Sequence, residues 1–184
     1  MKEKVTYQGR IIEVVEFDSG NGKTFEKARR APGSRLIIVS PENKILITRE
    51  SRHETGNIDL RLPGGKVYDT LEQYNIALKD KVDITAAAKT GAIKEAAEET
   101  GLEIRDLELI TIATAGATVD WDLYYFIVRK YQKLPNGQQL EHGEDIEITW
   151  MSPDEIRAAA RDGKMQEWRS VGVLLGKVLP LLEK

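Results

Sequence analysis

Short apolar runs separated by turn residues make up the first third of the chain. The first pair of runs flanks SGNG and predicts a β-hairpin within residues 1–30, and the second pair flanks PEN and predicts another hairpin. A fifth run ends in a glycine-rich loop. Because hairpins are antiparallel, this region predicts an antiparallel or mixed sheet. The predicted strands are RIIEVVEFD, KTFEKARR, RLIIVS, KILITRE and IDLRLPGG.

Helical and strand patterns alternate along the rest of the chain. A short helix is predicted at LEQYNIALK, and a long one runs from the N-cap Asp83 to Thr100. Two helices close the sequence, the first starting at Ser152–Pro153 and the second covering residues 166–182. The pattern predicts an α/β (α+β) fold with a mixed β-sheet between helices. The further predicted strands are LELITIAT, DLYYFIVRKY and IEITWM.

Composition narrows the class of protein. The 184 residues fit one domain with a small appendage, and 41% hydrophobic residues suffice for an ordinary core. A net charge of −3, from 27 basic and 30 acidic residues, does not favour nucleic acid or a membrane as partner. Cysteine is absent, which excludes disulfides and thiolate zinc sites. With no signal peptide or membrane-spanning run at hand, we expect a cytoplasmic protein.

The long predicted helix is acidic near its C-terminal end. In KEAAEETGLE, Glu95, Glu98 and Glu99 stand at i, i+3 and i+4, so they share one face, and Gly101 is placed to end the helix. Acids in a last turn oppose the helix dipole, and Glu95 and Glu99 repel each other. The turn is either a solvated acidic end or a place where cations compensate the acids.

The glycine-rich loop and this helix together resemble the signature of the Nudix hydrolases, G-x5-E-x7-R-E-U-x-E-E-x-G-U, with U an aliphatic residue. The loop is PGGK, residues 63–66, and the second half of the signature matches KEAAEETGL, residues 94–102, with Lys94 for arginine. The resemblance implies the Nudix fold, with residues 1–30 as an N-terminal β-hairpin extension and 31–184 as the Nudix domain.

The first half of the signature departs from the family spacing. The family's first glutamate falls on Ala86, which carries no charge, and Gly65 lies too far upstream. An insertion over residues 66–83 explains both departures. Glu72 and Asp83 remain open as substitutes for the missing acid.

The resemblance also implies a chemistry. Nudix enzymes cleave a diphosphate linked to another moiety and use Mg²⁺ (or Mn²⁺), cations that prefer oxygen ligands. The implied metal ligands are Glu95, Glu98, Glu99 and the carbonyl of Gly65. Lys94 matches the arginine that orients the glutamates, and Lys94, Glu98 and Glu99 are assigned to catalysis. Gly64 and Gly65 are assigned to substrate binding.

The flanking segments resemble the branch of ADP-ribose pyrophosphatases and nucleoside-diphosphate-sugar hydrolases. Arg52 matches an arginine of that branch and would bind the diphosphate. Glu144, or second Glu141, matches a loop glutamate that acts as base or helps to place the metals. The branch also carries an N-terminal β-element used in dimers, which implies a homodimer. A proline of the branch is missing from TAG, residues 114–116.

Aromatic residues are candidates for holding a nucleobase. Trp121, between two aspartates, is the best exposed platform. Of Tyr124 and Tyr125, one is expected in the core and one at the surface, and Trp150 and Trp168 are expected to pack in the interior.

The resulting prediction is hydrolysis of ADP-ribose or a related sugar nucleotide to a nucleoside monophosphate and a sugar phosphate. The alternatives are a Nudix-like sensor that binds a nucleotide and hydrolyses it poorly, or an enzyme for nucleoside triphosphates or dinucleoside polyphosphates. No segment typical of DNA binding accompanies the domain.

Overall fold

The computed structural model describes residues 3–18, 20–52, 56–143 and 145–183. The side chains of Arg52 and Asn57 lie outside this description. The strands are β1 (Glu3–Gln8), β2 (Glu13–Asp18), β3 (Thr24–Arg29), β4 (Gly33–Ile38), β5 (Ile45–Arg52), β6 (Asn57–Arg61), β7 (Leu102–Ala113), β8 (Val119–Asp120), β9 (Leu123–Lys133) and β10 (Ile146–Met151). The helices are α1 (Leu71–Lys79), α2 (Ile84–Glu95), α3 (Pro153–Arg161), α4 (Trp168–Val173) and α5 (Leu179–Leu182).

The N-terminal residues form a sheet of their own. The predicted first hairpin is confirmed as the antiparallel pair β2–β3, and β1 adds a third strand on the other side of β2. The short strand β8 extends the sheet in parallel with β3. Arg29 at the end of β3 forms ion pairs with Glu3, Glu13 and Asp120 at 2.5, 3.3 and 3.5 Å. Its guanidinium therefore connects β3 with β1, β2 and β8.

The second predicted hairpin is wrong in its pairing. The chain turns between β4 and β5, where the Ser40 amide donates to the Lys44 carbonyl at 2.8 Å and Val39 bridges Ile45. The two strands then enter different sheets, since β4 pairs in parallel with β9 and β5 lies between β10 and β6. The reason is that β4 is buried along its whole length and needs cover on both faces.

The central sheet, in the order β4-β9-β7, lies between helices, which confirms the predicted α+β architecture with mixed pairing. Leu36 and Ile38 of β4 belong to a core cluster with α2, whereas Ile37 belongs to the cluster with α3, α4 and α5. The expectation that one of Tyr124 and Tyr125 is at the surface is wrong. Both are buried, because β9 is the middle strand of a covered sheet.

The long predicted helix is confirmed and carries the acidic turn. Asp83 is its N-cap, and its carboxylate accepts the amides of Thr85 and Ala86 at 2.9 and 3.1 Å. After α2 the helix widens into a π-helical turn over Ala96–Thr100 and ends at Gly101, whose φ is +66°. Only a residue that tolerates the left-handed region fits there.

The segment inserted into the signature contacts two other parts of the fold. It contains α1, as predicted, which starts with a capping box between Thr70 and Gln73. Asn75 of α1 donates to the buried Glu13 at 3.0 Å, so the inserted helix contacts the N-terminal sheet. The Val67 amide donates to the Pro32 carbonyl at 3.0 Å.

The C-terminal helices agree in position with the predicted ones, and Ser152 caps α3 as expected. Trp150 is partly buried and stacks on Tyr131 with ring centroids 6.0 Å apart. Trp168, however, is 66% exposed at the start of α4, so its expected packing role is wrong. Among the described residues, no helix is both long enough and apolar enough to span a bilayer.

Candidate active site

The glycine-rich loop and the acidic turn meet directly despite the insertion. The Gly64 amide donates to Glu99 Oε2 at 2.7 Å, which fixes that carboxylate against the loop. The Glu95 carboxylate lies where a side chain on residue 65 would be, so any side chain there would have to displace Glu95. Gly64 has φ +134° and its Cα faces the Ser34 carbonyl, so glycine is required there as well.

Arg35 holds this loop through hydrogen bonds to backbone carbonyls. Its Nη1 donates to the carbonyls of Ser34 and Gly64 at 2.7 and 2.9 Å, and the side chain is buried. Its Nε has no hydrogen-bond partner among the described residues. Sequence reasoning missed Arg35. The signal for it was a single cation directly before the apolar run Leu36–Val39, because a buried arginine needs acceptors.

Lys94 lies beside the acids, as predicted. Its Nζ is 3.1 Å from Glu98 Oε2. The hydrogen bond with Glu98 and the charges of Glu98, Glu95 and Glu141 raise the pKa of Lys94. The loop that carries Glu141 is tethered to the acidic turn, since the Gln139 amide donates to the Glu98 carbonyl at 2.8 Å.

These groups line one cavity of about 440 Å³. It holds charges of both signs, which suits a complex between cations and a polyanion. Of its lining residues, Glu50, Arg61 and Asp69 were not singled out from the sequence. The basic lining residues are Arg30, Arg35, Arg61, Lys66 and Lys94, and the acidic ones are Glu50, Asp69, Glu95, Glu98, Glu99 and Glu141.

A larger cavity of about 680 Å³ borders the segment Thr100–Leu102 and the Tyr131–Trp150 pair. The three glutamates do not line it. Size alone therefore does not identify the site, and we assign the chemistry to the acid-lined cavity.

Trp121 also lines the acid cavity, but it is not a free platform. The guanidinium groups of Arg30 and Arg169 lie over its ring, at 4.2 and 4.1 Å from the centroid. Burial, together with the charge of Arg169, lowers the pKa of Arg30. No carboxylate among the described residues forms an ion pair with Arg30, and its Nε is buried without a hydrogen-bond partner there. Arg30 is thus a partly buried cation with no counter-anion among the described residues.

The substitutes considered for the missing acid do not reach the site. Asp83 caps the far end of α2, about 18 Å from Glu95 along the helix axis, and neither Asp83 nor Glu72 lines the acid cavity. Asp69, from the inserted segment, does. Glu144 and the side chain of Arg52 lie outside the described residues, so their predicted roles remain predictions.

The oxygen atoms of the acidic turn and the glycine-rich loop are suited to a hard cation, although they do not converge on one point. In the described part of the chain, no three acidic or histidine side chains converge closely enough to hold a metal ion. Lys94 holds Glu98, and the Gly64 amide holds Glu99. The Gly65 carbonyl accepts from the Ser34 amide at 2.9 Å and keeps a second lone pair. The candidate metal ligands, which are the glutamate carboxylates and the Gly65 carbonyl, all bind through oxygen, the type of ligand atom that Mg²⁺ and Mn²⁺ prefer.

Comparison with known proteins bears on the family and the fold. The family model of the NUDIX domain matches residues 29–169. The methanol dehydrogenase activator of Bacillus methanolicus is 21% identical over 176 residues, which cover 93% of this chain and 87% of that protein. A crystal structure of an ADP compounds hydrolase is similar with a TM-score of 0.64 and 16% identity, over 95% of this chain and 89% of that chain. At that identity the structural likeness shows the fold.

An acidic helical turn facing a glycine-rich loop is the arrangement expected from the resemblance of the sequence to the Nudix signature. Because the family model covers most of the chain, the chain belongs to the Nudix family. It is a Nudix pyrophosphohydrolase, and the family and enzyme class predicted from the sequence are confirmed.

Proposed function

We propose that this enzyme hydrolyses the diphosphate of a nucleoside diphosphate linked to a sugar, such as ADP-ribose, and releases a nucleoside monophosphate and a sugar phosphate. The observation that carries the proposal is that Glu95, Glu98 and Glu99 face the Gly64–Gly65 loop in a cavity that also contains several cations. A diphosphate needs both kinds of charge around it, acids for its metal ions and cations for its own oxygens.

The three glutamates and the Gly65 carbonyl are proposed to hold Mg²⁺ or Mn²⁺. A bound divalent cation would neutralise charge on the diphosphate and make water more acidic. Lys94 pairs with Glu98 and limits the repulsion among the acids. The Gly64 amide holds Glu99 in place through its hydrogen bond.

Hydrolysis requires water to attack one phosphorus atom. A new P–O bond forms from the water oxygen, the anhydride P–O bond breaks, and one product phosphate leaves with the bridging oxygen. A carboxylate must take the proton of the water. We assign this to the loop that carries Glu141 and Glu144. Glu141 lines the acid cavity, and its charge acts on Lys94.

Substrate binding is assigned to the cationic side of the cavity. Arg30 lacks an anion among the described residues and would contact the diphosphate, with Arg52 as a second proposed contact. Trp121 would hold the base, which then replaces a guanidinium over its ring. Gly64 and Gly65 allow the substrate close to the backbone.

The test is turnover of a substrate panel by purified protein with Mg²⁺ or Mn²⁺. The panel contains ADP-ribose, UDP-glucose, NADH, a dinucleoside polyphosphate and ATP, and it is scored for phosphate-bearing products. Glu98→Gln and Glu99→Gln are each expected to lower kcat by about 100-fold or more, with an unchanged circular dichroism spectrum. Glu72→Gln is the matched control, since Glu72 is an exposed acid of α1 that does not line the cavity.

Native turnover in both glutamate variants would refute the assignment of the site. If no compound is turned over but one binds tightly, the protein is a sensor. If ATP or the dinucleoside polyphosphate is preferred to every sugar nucleotide, the substrate class is wrong.

A homodimer in the cytoplasm is part of the proposal. Large apolar side chains are exposed on the N-terminal sheet and its first turn, which is the element proposed for dimerisation. Light scattering after gel filtration should give twice the chain mass, and Tyr7→Lys should shift it toward the monomer. The exposed side chains are Val5, Tyr7, Ile11, Ile12 and Phe25.

A further inference from the structure

The insertion in the signature creates a cavity next to the acid site. This cavity has a volume of about 630 Å³ and lies between the inserted segment and one face of α2. Four residues line both it and the acid cavity, so the two spaces adjoin at the metal-binding end of the helix. The shared residues are Lys66, Asp69, Lys94 and Glu95.

The chain comes close to the helix at the start of this cavity, where Gly91 leaves room. A Cβ at Gly91 would lie 3.4 Å from the Lys66 carbonyl oxygen and 3.7 Å from Val67 Cα. The lining includes an apolar residue on each side, Ala87 on the helix side and Ile76, which is 53% exposed, on the α1 side. An exposed isoleucine beside a cavity is available to cover the apolar face of a ligand.

The polar groups of the cavity suit hydroxyls better than another phosphate. The Asp69 carboxylate and the Lys66 ammonium have no ion-pair partner among the described residues and stand at the junction. Gln73 uses its Oε1 to accept the amides of Asp69 and Thr70, at 3.0 and 3.2 Å, which leaves its NH₂ free to donate. An unpaired carboxylate accepts from a sugar diol and repels a terminal phosphate.

We propose that the inserted segment builds the compartment for the sugar of the substrate. Asp69 accepts the sugar hydroxyls, Lys66 pairs with the diphosphate at the junction, and Ile76 covers the ring. This inference rests on the proposed function and specifies it, because it selects substrates with a polyhydroxylated group beyond the diphosphate over nucleoside triphosphates.

The experiment compares ADP-ribose with the β-methyl ester of ADP, which has the same diphosphate but a methyl group in place of the sugar. Ala87→Trp fills the cavity from the helix side, and Asp69→Asn removes the charged acceptor. In each variant, the ratio of kcat/KM for ADP-ribose to kcat/KM for the methyl ester is expected to fall about tenfold or more. Lys89→Trp is the matched control, because Lys89 is exposed on the same helix and lines neither cavity.

The outcomes separate the two proposals. If the native protein hydrolyses neither compound, nor any sugar nucleotide, the proposed function fails. If it hydrolyses both compounds and neither variant changes the ratio, the sugar compartment fails while the proposed function stands. A ratio that also falls in Lys89→Trp would show a general effect of a bulky residue on α2 and overturn the inference.

Discussion

Replacing Gly65 by alanine tests the contact between the glycine loop and the acidic turn. A methyl group there would collide with the Glu95 carboxylate, which is the end of a flexible side chain and not backbone. Gly65 does not have a positive φ, so alanine fits its backbone conformation. The Gly65→Ala protein can therefore fold by moving Glu95 aside, and the cost falls on the position of a proposed metal ligand.

The magnitude follows from the size of the collision. The new Cβ would lie closer to the carboxylate than real Cβ contacts do, so Glu95 has to move by about 1 Å or more, and a misplacement of about 1 Å costs about 100-fold in rate. We expect kcat on a sugar nucleotide with Mg²⁺ to fall about 100-fold. The free energy of unfolding in urea should stay within about 1 kcal/mol of the native value.

Gly172→Ala is the matched control on helix α4, because Gly172 lines neither the acid cavity nor the cavity beside it. Its Cβ would have no atom within 4 Å. Because glycine in a helix interior costs about 1 kcal/mol relative to alanine, this variant should be more stable and keep native kcat. Native kcat in Gly65→Ala would refute the role given to Glu95, and a large loss of stability in it would refute the geometric argument.

Three further predictions concern an ion pair of the N-terminal sheet, the partly buried Tyr74 and two tryptophans. Arg29→Met removes the guanidinium partner of the buried Glu13, and urea unfolding should show a loss of about 3 kcal/mol; an unchanged midpoint would contradict this. Burial, then the charges of two nearby aspartates, raises the pKa of Tyr74 to about 12. Its contribution to stability is therefore complete below about pH 10 and is lost as the pH rises through about 12, so Tyr74→Phe should flatten the alkaline fall of Tm. Trp121→Ala should raise KM for the sugar nucleotide about tenfold, whereas the exposed Trp168 should tolerate alanine, and equal KM values would argue against Trp121 as a contact.

Most strands and helices were predictable because each depends on local patterns, whereas β1 and β8 were not among the predicted strands. The pairing of β4 was not, because its partner β9 lies far along the chain and the turn at PEN imitates a hairpin. The clue was the unbroken apolar run from Leu36 to Val39, which is typical of a strand covered on both faces. In an antiparallel hairpin with one solvent-exposed face, apolar and polar residues would alternate along each strand.

The acids of the site were predictable for the same local reason. Their spacing brings Glu95, Glu98 and Glu99 to one side of a helix in any fold that contains it. Arg35 and Glu50 were not, because they reach the cavity only through the way β4 and β5 are placed beside the loop. The same dependence on tertiary structure explains Trp168, whose apolar ring predicts burial although the start of α4 faces outward.

The insertion shows how a signature can be interrupted without loss of its geometry. The loop contacts needed by Glu95 and Glu99 are made by Gly64 and Gly65, before the inserted segment begins. Asp83 then caps the start of α2, so the three glutamates keep their spacing on one helix whatever the length of the inserted segment. Since closing a longer loop costs only about 0.6 kcal/mol for each doubling of its length, the segment between these points is free to gain a helix and a cavity. Asn75 of the inserted helix α1 donates to Glu13 of the N-terminal sheet. The proposed sugar compartment is therefore in direct contact with the element proposed for dimerisation.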